Sequence, residues 1–427
     1  MQAITMKRFL LRSIRYIARL VAHAFDISVL RCNYAIVLQR IRQYGGKRKI
    51  KVIFLVNEVS KWKAQSLYSL MEKSKTYDPY IGLTLADMDW HLSTSDQEEK
   101  YLANRKYFSI KGMKIVDAYD IDKRLPISLR KYTPDIVWYQ QPWGIAEEQR
   151  PNYVSYYALT AYIPYYVPNY GHIGIDCNHD FHKELWRYFI LNKEWENFYG
   201  RHFALFSHAG KLLGLGHTGL DPLRSQSGVK ENERCVIYAP HWSIDCPGNE
   251  NFENYSTFLW TGIPLLEFAK EHKEIQWIFK PHPTLKRTLL KTGVWSKEKI
   301  ESYYQAWDSI GIKCETGDYQ QLMLESKVMI TDCGSFLTEY FSTGKPLVHL
   351  ISPSVKLKPL PPSRKMFDSF YKVHSMEELV KTLDLLINQQ KDPKREERLS
   401  LIRELDIGSS NAAENILHYM DKVLKID

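Results

Sequence analysis

From residue 50 onward, short apolar runs alternate with longer amphipathic ones. IKVIFLVN (50–57), PYIGLTL (79–85), MKIVDAY (113–119), PDIVWYQQP (134–142) and TAYIPYYV (160–167) read as strands. Most lack the polar/apolar alternation of a half-exposed strand, so they are expected to be buried on both faces. The text between them is helical in pattern, and FHKELWRYFILNKEWENFYG (181–200) is expected as one long aromatic helix. A second series starts near residue 234, with strands in CVIYAPHW (235–242), IQWIFKPHP (275–283), GIKCE (311–315), KVMITDCGS (327–335) and PLVHLIS (346–352). Helices are expected over 257–272 and in FLTEYFSTG. Strands separated by helices imply parallel sheets covered on both faces. The reading is an α/β chain with two Rossmann-like domains, 47–225 and 226–388, facing a cleft, and helices over 389–427. In such sheets ligands sit outside the carboxyl ends of the strands.

Residues 1–46 follow a different pattern. In MKRFLLRSIRYIARLVA (6–22), Phe9, Leu10, Ile14, Ile17, Leu20 and Val21 recur near helical spacing with Arg8, Arg12, Arg15 and Arg19 between them, and a second such stretch runs from Val29 to Arg42. This is an amphipathic basic arm. The formal net charge of the 427 residues is +9, yet residues 1–51 hold twelve Lys/Arg and one acid, Asp26. The rest therefore sums to −2, and a nucleic-acid binder with a basic body is excluded. The arm suits an anionic membrane surface, engaged through residues 6–42. It also suits a helix packed on the body with solvated arginines, and mitochondrial transit peptides look similar. Arginines interrupt any signal-peptide core, and no run of about 18 apolar residues is seen, so no bilayer-spanning segment is expected. The six cysteines are widely spaced, which excludes a zinc cluster or small disulfide framework and fits a reducing compartment. The expected location is the cytoplasm, on the inner face of the cell membrane.

Three strand ends in the second half carry polar residues: Ala239-Pro240-His241-Trp242-Ser243, Lys280-Pro281-His282-Pro283 and Thr331-Asp332-Cys333-Gly334-Ser335. At the third, a strand runs into a helix that starts with small residues. Free N–H groups and the positive end of the helix dipole suit a phosphate or pyrophosphate there. Ser335 can add a hydroxyl or simply cap the helix. Glu339, one turn further, can take a sugar hydroxyl or be a surface acid. His282 lies between prolines that stiffen its loop, and it can donate to a phosphate. Lys280 is a weaker candidate, since lysines at strand ends are commonly solvated, and His241 on the neighbouring strand end shares the ambiguity of His282.

YAPHWS, KPHP and TDCGSFLTEYFSTGKPLVHL, with GHTGLDPL (216–223) ahead of them, resemble the CDP-glycerol glycerophosphotransferase family, which builds teichoic acids and related capsule polymers. The resemblance covers roughly residues 178–350 and is thin over the first 150. It implies a GT-B fold, with His282 on the donor phosphates, Ser335 and the Gly334 backbone on the pyrophosphate, and Asp332 and Glu339 shaping the donor site. His241 stands where threonine is usual, and Cys333-Gly334 replaces a Tyr-Ser pair. Donor-site residues are thus His241, Ser243, Lys280, Asp332, Gly334, Ser335 and Glu339.

The family's first domain usually offers a His-Gly element whose histidine takes the acceptor proton. Here Gly171-His172 has the reverse order. Candidates for the base are His172, His179, His182 and Asp180, with His282 acting on the leaving nucleotide. H-x-x-H at 179–182 resembles a metal site at a glance but lacks further ligands, so neither metal nor cofactor is expected. Tyrosines crowding 139–170 suit a sugar or polyol chain as well as ordinary packing. The implied activity is transfer of a glycerol-phosphate, polyol-phosphate or sugar unit from a nucleotide-diphosphate donor, CDP-linked by resemblance, to a polysaccharide or lipid-linked acceptor at the cell surface. The alternatives are a GT-B glycosyltransferase using a CMP- or UDP-sugar for capsular polysaccharide, and a sugar-nucleotide epimerase.

Overall fold

β1 (Ile50–Val56) alternates between two cores: Ile53 and Leu55 face one, Val52, Phe54 and Val56 the other. A strand buried on both sides needs no polar face, which is why its sequence is continuously apolar. Around it β2 (Tyr77–Leu83), β3 (Ile115–Asp117), β4 (Ile136–Tyr139), β5 (Leu159–Tyr162), β6 (Arg187–Ile190) and β7 (Leu212–Gly214) form a sheet. Its order is β3-β2-β1-β4-β5-β6-β7, every pair parallel. The second sheet consists of β8 (Cys235–Ala239), β9 (Gln276–Phe279), β10 (Gly311–Lys313), β11 (Val328–Thr331), β12 (Leu347–Leu350) and β13 (Tyr371–Val373). It repeats the pattern as β10-β9-β8-β11-β12-β13, again all parallel. Each order reverses beside its first strand, and the crevice at such a switch point is where α/β sheets bind ligands.

This computed structural model describes residues 2–44, 46–86, 89, 92–170, 176–177, 179–202, 210–224, 230–246, 254–313, 319–355, 358–407 and 411–425, with side chains from residue 21 onward except Lys313. The expected helix over 181–200 is instead a short helix (Asp180–Glu184), strand β6 and a helix over Lys193–Gly200. Tyr188, Phe189 and Ile190 are all buried, so the run is a doubly covered strand and not one face of a helix.

The arm is one continuous helix, α1 (Gln2–Tyr44), not two. Ile27, Leu30, Tyr34, Val37 and Ile41 recur every three or four residues and are buried in the outer core of the first domain. The Tyr34 hydroxyl sits 2.5 Å from both Thr160 Oγ1 and the Glu184 carbonyl, and Arg40 donates to the Tyr157 carbonyl at 2.6 Å. The C-terminal half of α1 is therefore part of the domain. By length and composition Val21–Tyr44 is also apolar enough to cross a membrane, unlike the expectation from the sequence. Its buried stripe nevertheless ties it to the sheet.

Two more helices position the cleft: α2 (Phe258–Glu271) and α3 (Gly334–Ser342). The last helix, α4 (Ala412–Leu424), returns to the first domain, where Ala413, Ile416, Met420 and Leu424 join the same outer core. Asp221 caps it, accepting from the Ala412 and Ala413 amides at 2.9 and 3.1 Å. The facing sides of the two sheets share one hydrophobic cluster, with Ile53 and Leu55 from β1 and Cys235, Ile237 and Ala239 from β8.

Candidate functional site

The three polar strand ends of the second sheet meet because β9, β8 and β11 are neighbours in register. Asp332, just past β11, is buried. Its Oδ1 accepts the His241 backbone N–H at 2.6 Å, and its Oδ2 accepts the Thr257 N–H at 2.5 Å and the Thr257 hydroxyl at 2.8 Å. Burial pushes its carboxyl up to about 6. With both oxygens so engaged, Asp332 ties the His241 loop to the start of α2.

His241 is buried, its ring 5.2 Å from that of His282 and 5.4 Å from that of Tyr255. Ser243 is fully buried and engages the His241 ring through its hydroxyl at 2.7 Å. Burial lowers His282 to about 3, with Lys280 and then Lys61 adding to the shift. Lys61 comes from the first domain, where it pairs with Glu58 at 3.4 Å. Lys280 is buried beside the rings of Tyr319 (5.4 Å) and Phe336 (6.0 Å).

α3 starts at Gly334. The first-turn N–H groups of a helix have no intrahelical acceptor; Gly334 and Ser335 are partly exposed, and the Ser335 N–H turns to the Cys333 sulfur. The Ser335 hydroxyl lies 3.1 Å from Cys333 Sγ. Asn169 donates to the Gly334 carbonyl at 3.1 Å, and a Cβ on Gly334 would sit 3.3 Å from the Tyr170 ring. Tyr170 in turn packs 4.7 Å from the Tyr255 ring. One aromatic chain thus links His241 to the start of α3 and brings first-domain residues 169–170 against it.

Glu339 is neither a surface acid nor open to a sugar. It is buried, its Oε1 is 2.8 Å from Lys63 Nζ, and its Oε2 accepts the Tyr319 hydroxyl at 2.7 Å. Lys63 also donates to that hydroxyl. The second-domain carboxylate is spent on a cross-domain joint.

The first-domain candidates fare differently. His182 is fully buried, stacked 5.3 Å from Tyr188 and packed on Tyr162 and Phe181, and both ring nitrogens lack partners. Burial lowers it to about 3. Asp180 is exposed and pairs with Lys183 at 3.0 Å. Their helix leads directly into β6, with His182 packed on Tyr162, the last residue of β5, inside the core and Asp180 on the surface. His179 caps that helix through the Phe181 N–H at 3.3 Å, and its ring lies 6.5 Å from that of His182, so the pair makes no chelate. His172 lies outside the described residues.

Lys61, Lys63, Asn169 and Tyr319 are not marked by the sequence reading, whereas Tyr170 belongs to its tyrosine cluster. Lys61 and Lys63 follow the end of β1, so the same strand-end rule applied to the first sheet finds them.

No family model and no curated protein matches the chain. Solved structures do. A Listeria monocytogenes protein assigned as a UDP-N-acetylglucosamine 2-epimerase is 14% identical with TM-score 0.56, over 88% of this chain and 96% of that one. The Neisseria meningitidis UDP-GlcNAc 2-epimerase bound to UDP-GlcNAc is 14% identical with TM-score 0.53, over 88% and 100%. The wall teichoic acid polymerase TagF, in a variant soaked with CDPG, is 12% identical with TM-score 0.52, over 96% and 98%. The fold is GT-B: two Rossmann-like domains around a cleft.

Two predictions follow from this packing. His182 has an ordinary value of 6.5 lowered to about 3, so the stability it contributes is present above pH 6.5 and lost as pH falls through about 3. His182→Phe should flatten the pH dependence of the urea midpoint in that window and keep turnover, and an unchanged slope would refute the assignment. Glu339→Gln leaves the buried Lys63 ammonium without its counter-charge and should cost about 3–5 kcal/mol in denaturant unfolding, whereas Lys63→Met with Glu339→Leu should cost far less.

Proposed function

We propose that this chain transfers a glycerol-phosphate, polyol-phosphate or sugar unit from a nucleotide-diphosphate donor, CDP-linked by preference, to a growing cell-surface polymer. The observation that carries this reading is the gathering of His241, His282, Lys280, Lys61 and the start of α3 on one cleft edge. Such a set of N–H donors and cations suits a diphosphate. With a CDP-polyol, the acceptor oxygen attacks the distal phosphorus, the bond from that phosphorus to the bridging oxygen breaks, and CMP leaves. With a nucleotide sugar, the attack falls on the anomeric carbon.

We assign the acceptor base to His172. Of the other candidates, His179 caps a helix, His182 is packed in the core and Asp180 is paired with Lys183. An epimerase would instead need a cleft group free to take a proton from a sugar carbon. Here Asp332 and Glu339 are engaged as described. Glu58 is held below the usual carboxylate range because Lys61 and Lys100 outweigh its burial. In an assay of nucleotide release with CDP-glycerol, CDP-ribitol and a panel of UDP- and CMP-sugars, we expect acceptor-dependent CMP from a CDP-polyol. His172→Ala should lower turnover at least about 100-fold, the usual share of a general base, while sparing nucleotide binding. Release of nucleotide with none of the donors would refute the proposal.

We further propose that the N-terminal half of α1 lies on an anionic membrane. Val21 and Phe25 are exposed at 64% and 69%, next to a segment with Lys7, Arg8, Arg12, Arg15, Arg19 and no acid before Asp26. Deleting residues 2–20, which spares the buried stripe, should abolish sedimentation with anionic liposomes and leave the melting temperature within a few degrees. Equal sedimentation of the two forms would refute it.

A further inference from the structure

Two adjacent strand ends carry the same local device. Beyond β8, His241 Nδ1 accepts the Ser243 N–H at 3.2 Å and lies 2.7 Å from the Ser243 hydroxyl. Beyond β9, His282 Nδ1 accepts the Thr284 N–H at 3.2 Å and lies 2.8 Å from the Thr284 hydroxyl. A hydroxyl can turn to donate or accept, but the direction of a backbone N–H is set by the chain. A ring nitrogen that accepts it carries no proton, so each imidazole is held with its proton on Nε2. The spacing His-x-Ser/Thr, at 241–243 and again at 282–284, supplies the hook both times.

The surroundings keep both rings neutral. Lys280, Lys61 and Arg287 bear on His282, and His282 bears on His241. Asp332, the nearest carboxylate to His241, takes the backbone N–H and not the ring. A second proton on either ring would add a cation to a buried cationic edge. With Nδ1 occupied, the Nε2–H edge is the one each ring offers to a ligand. The rings sit 5.2 Å apart at 65°, at the ends of the neighbouring strands β9 and β8, and β8 lies beside β11, which leads into α3.

We propose that His241 and His282 form a two-point clamp of neutral Nε2–H donors that grips the diphosphate of the donor, with His241 as a second phosphate-contacting residue. The proposal rests on the transferase reading for the identity of the ligand, and on the two hooks for the state of the rings. A neutral donor pair binds and orients the phosphates without giving up a proton. Glutamine can stand in for such a ring because it places an N–H near the Nε2 position, and alanine cannot.

The test uses the full-length chain with CDP, cytidine and inorganic pyrophosphate as probes in calorimetry. His241→Ala should weaken CDP and pyrophosphate roughly tenfold or more, the loss of one charge-assisted hydrogen bond, and leave cytidine within about twofold. His241→Gln should recover most of that loss and also shows that the loop still folds. Equal losses for CDP and cytidine, or a glutamine variant as weak as the alanine one, would overturn the clamp. Long-range proton–nitrogen correlation spectra of chain labelled with nitrogen-15 histidine should give the two signals removed by His241→Gln and His282→Gln as Nε2–H tautomers at pH 7. Doubly protonated or Nδ1–H rings would overturn it as well. Pyrophosphate binding that depends on both histidines, without turnover of any activated donor, would refute the transferase reading and leave the clamp standing.

Discussion

The buried contact between Lys63 and Glu339 is the constraint on which the cleft depends. The two side chains are 3% and 1% exposed, and neither charge is tolerable in that setting without the other. Lys63 is fixed from three sides. Its N–H donates to Gln140 at the end of β4 at 2.9 Å, its carbonyl accepts the Thr218 hydroxyl at 2.7 Å, and its ammonium meets Glu339 and Tyr319. The loop after β1, the end of β4, the connection between domains and the second domain are thereby joined at one point. Gly219 belongs to the same joint: a Cβ there would come within 2.9 Å of the His217 ring and 3.1 Å of Lys63 Cδ. The glycine lets the connecting segment lie flat against the lysine.

Helix α3 carries both this joint and the end proposed to meet the donor phosphates. Gly334 and Ser335 begin the helix, and Glu339 sits one turn further in, paired with Lys63 of the first domain. The start of α3 is also held from the first domain by Asn169 and Tyr170. The spacing between the start of α3 and the first domain is therefore set by a rigid element pinned at two places. An acceptor base from the first domain needs that fixed spacing, because proton transfer requires hydrogen-bond reach.

The second sheet was legible because each of its inner strands is an apolar run that turns polar as it leaves the sheet, at His241, Lys280 and Asp332. That rule locates an edge. It does not say where each side chain points, and Asp332, with the same sequence signature as a ligand-binding acid, serves loop amides instead. Glu339 was ambiguous for a related reason: its partner, Lys63, is far away in sequence, and only the docking of the two domains brings them together. β6 was misread because Trp186, Tyr188 and Phe189 fit helical spacing as readily as a covered strand. His182 carried the chemistry of a catalytic residue in its name alone, and its packing between Tyr162 and Tyr188 gives it a core position.

The basic segment shows how much a charge count conceals. Of its twelve cations, several are committed to the body: Arg40 to the Tyr157 carbonyl, Arg42 to the Val423 carbonyl, Arg48 to Asp135, Lys49 to the Ser74 carbonyl and Lys51 to the Tyr132 carbonyl. These bonds fasten α1 and the start of β1 to the first domain and cannot serve a lipid surface at the same time. Five others, Lys7, Arg8, Arg12, Arg15 and Arg19, cluster in sequence before the first buried residue of the stripe, Ile27. One helix is thus divided by its own sequence. The half whose apolar residues meet a sheet also spends its charges there, and the half with exposed apolar residues at its end keeps its charges together. The proposed membrane contact rests on that combination of exposed apolar surface and basic sequence.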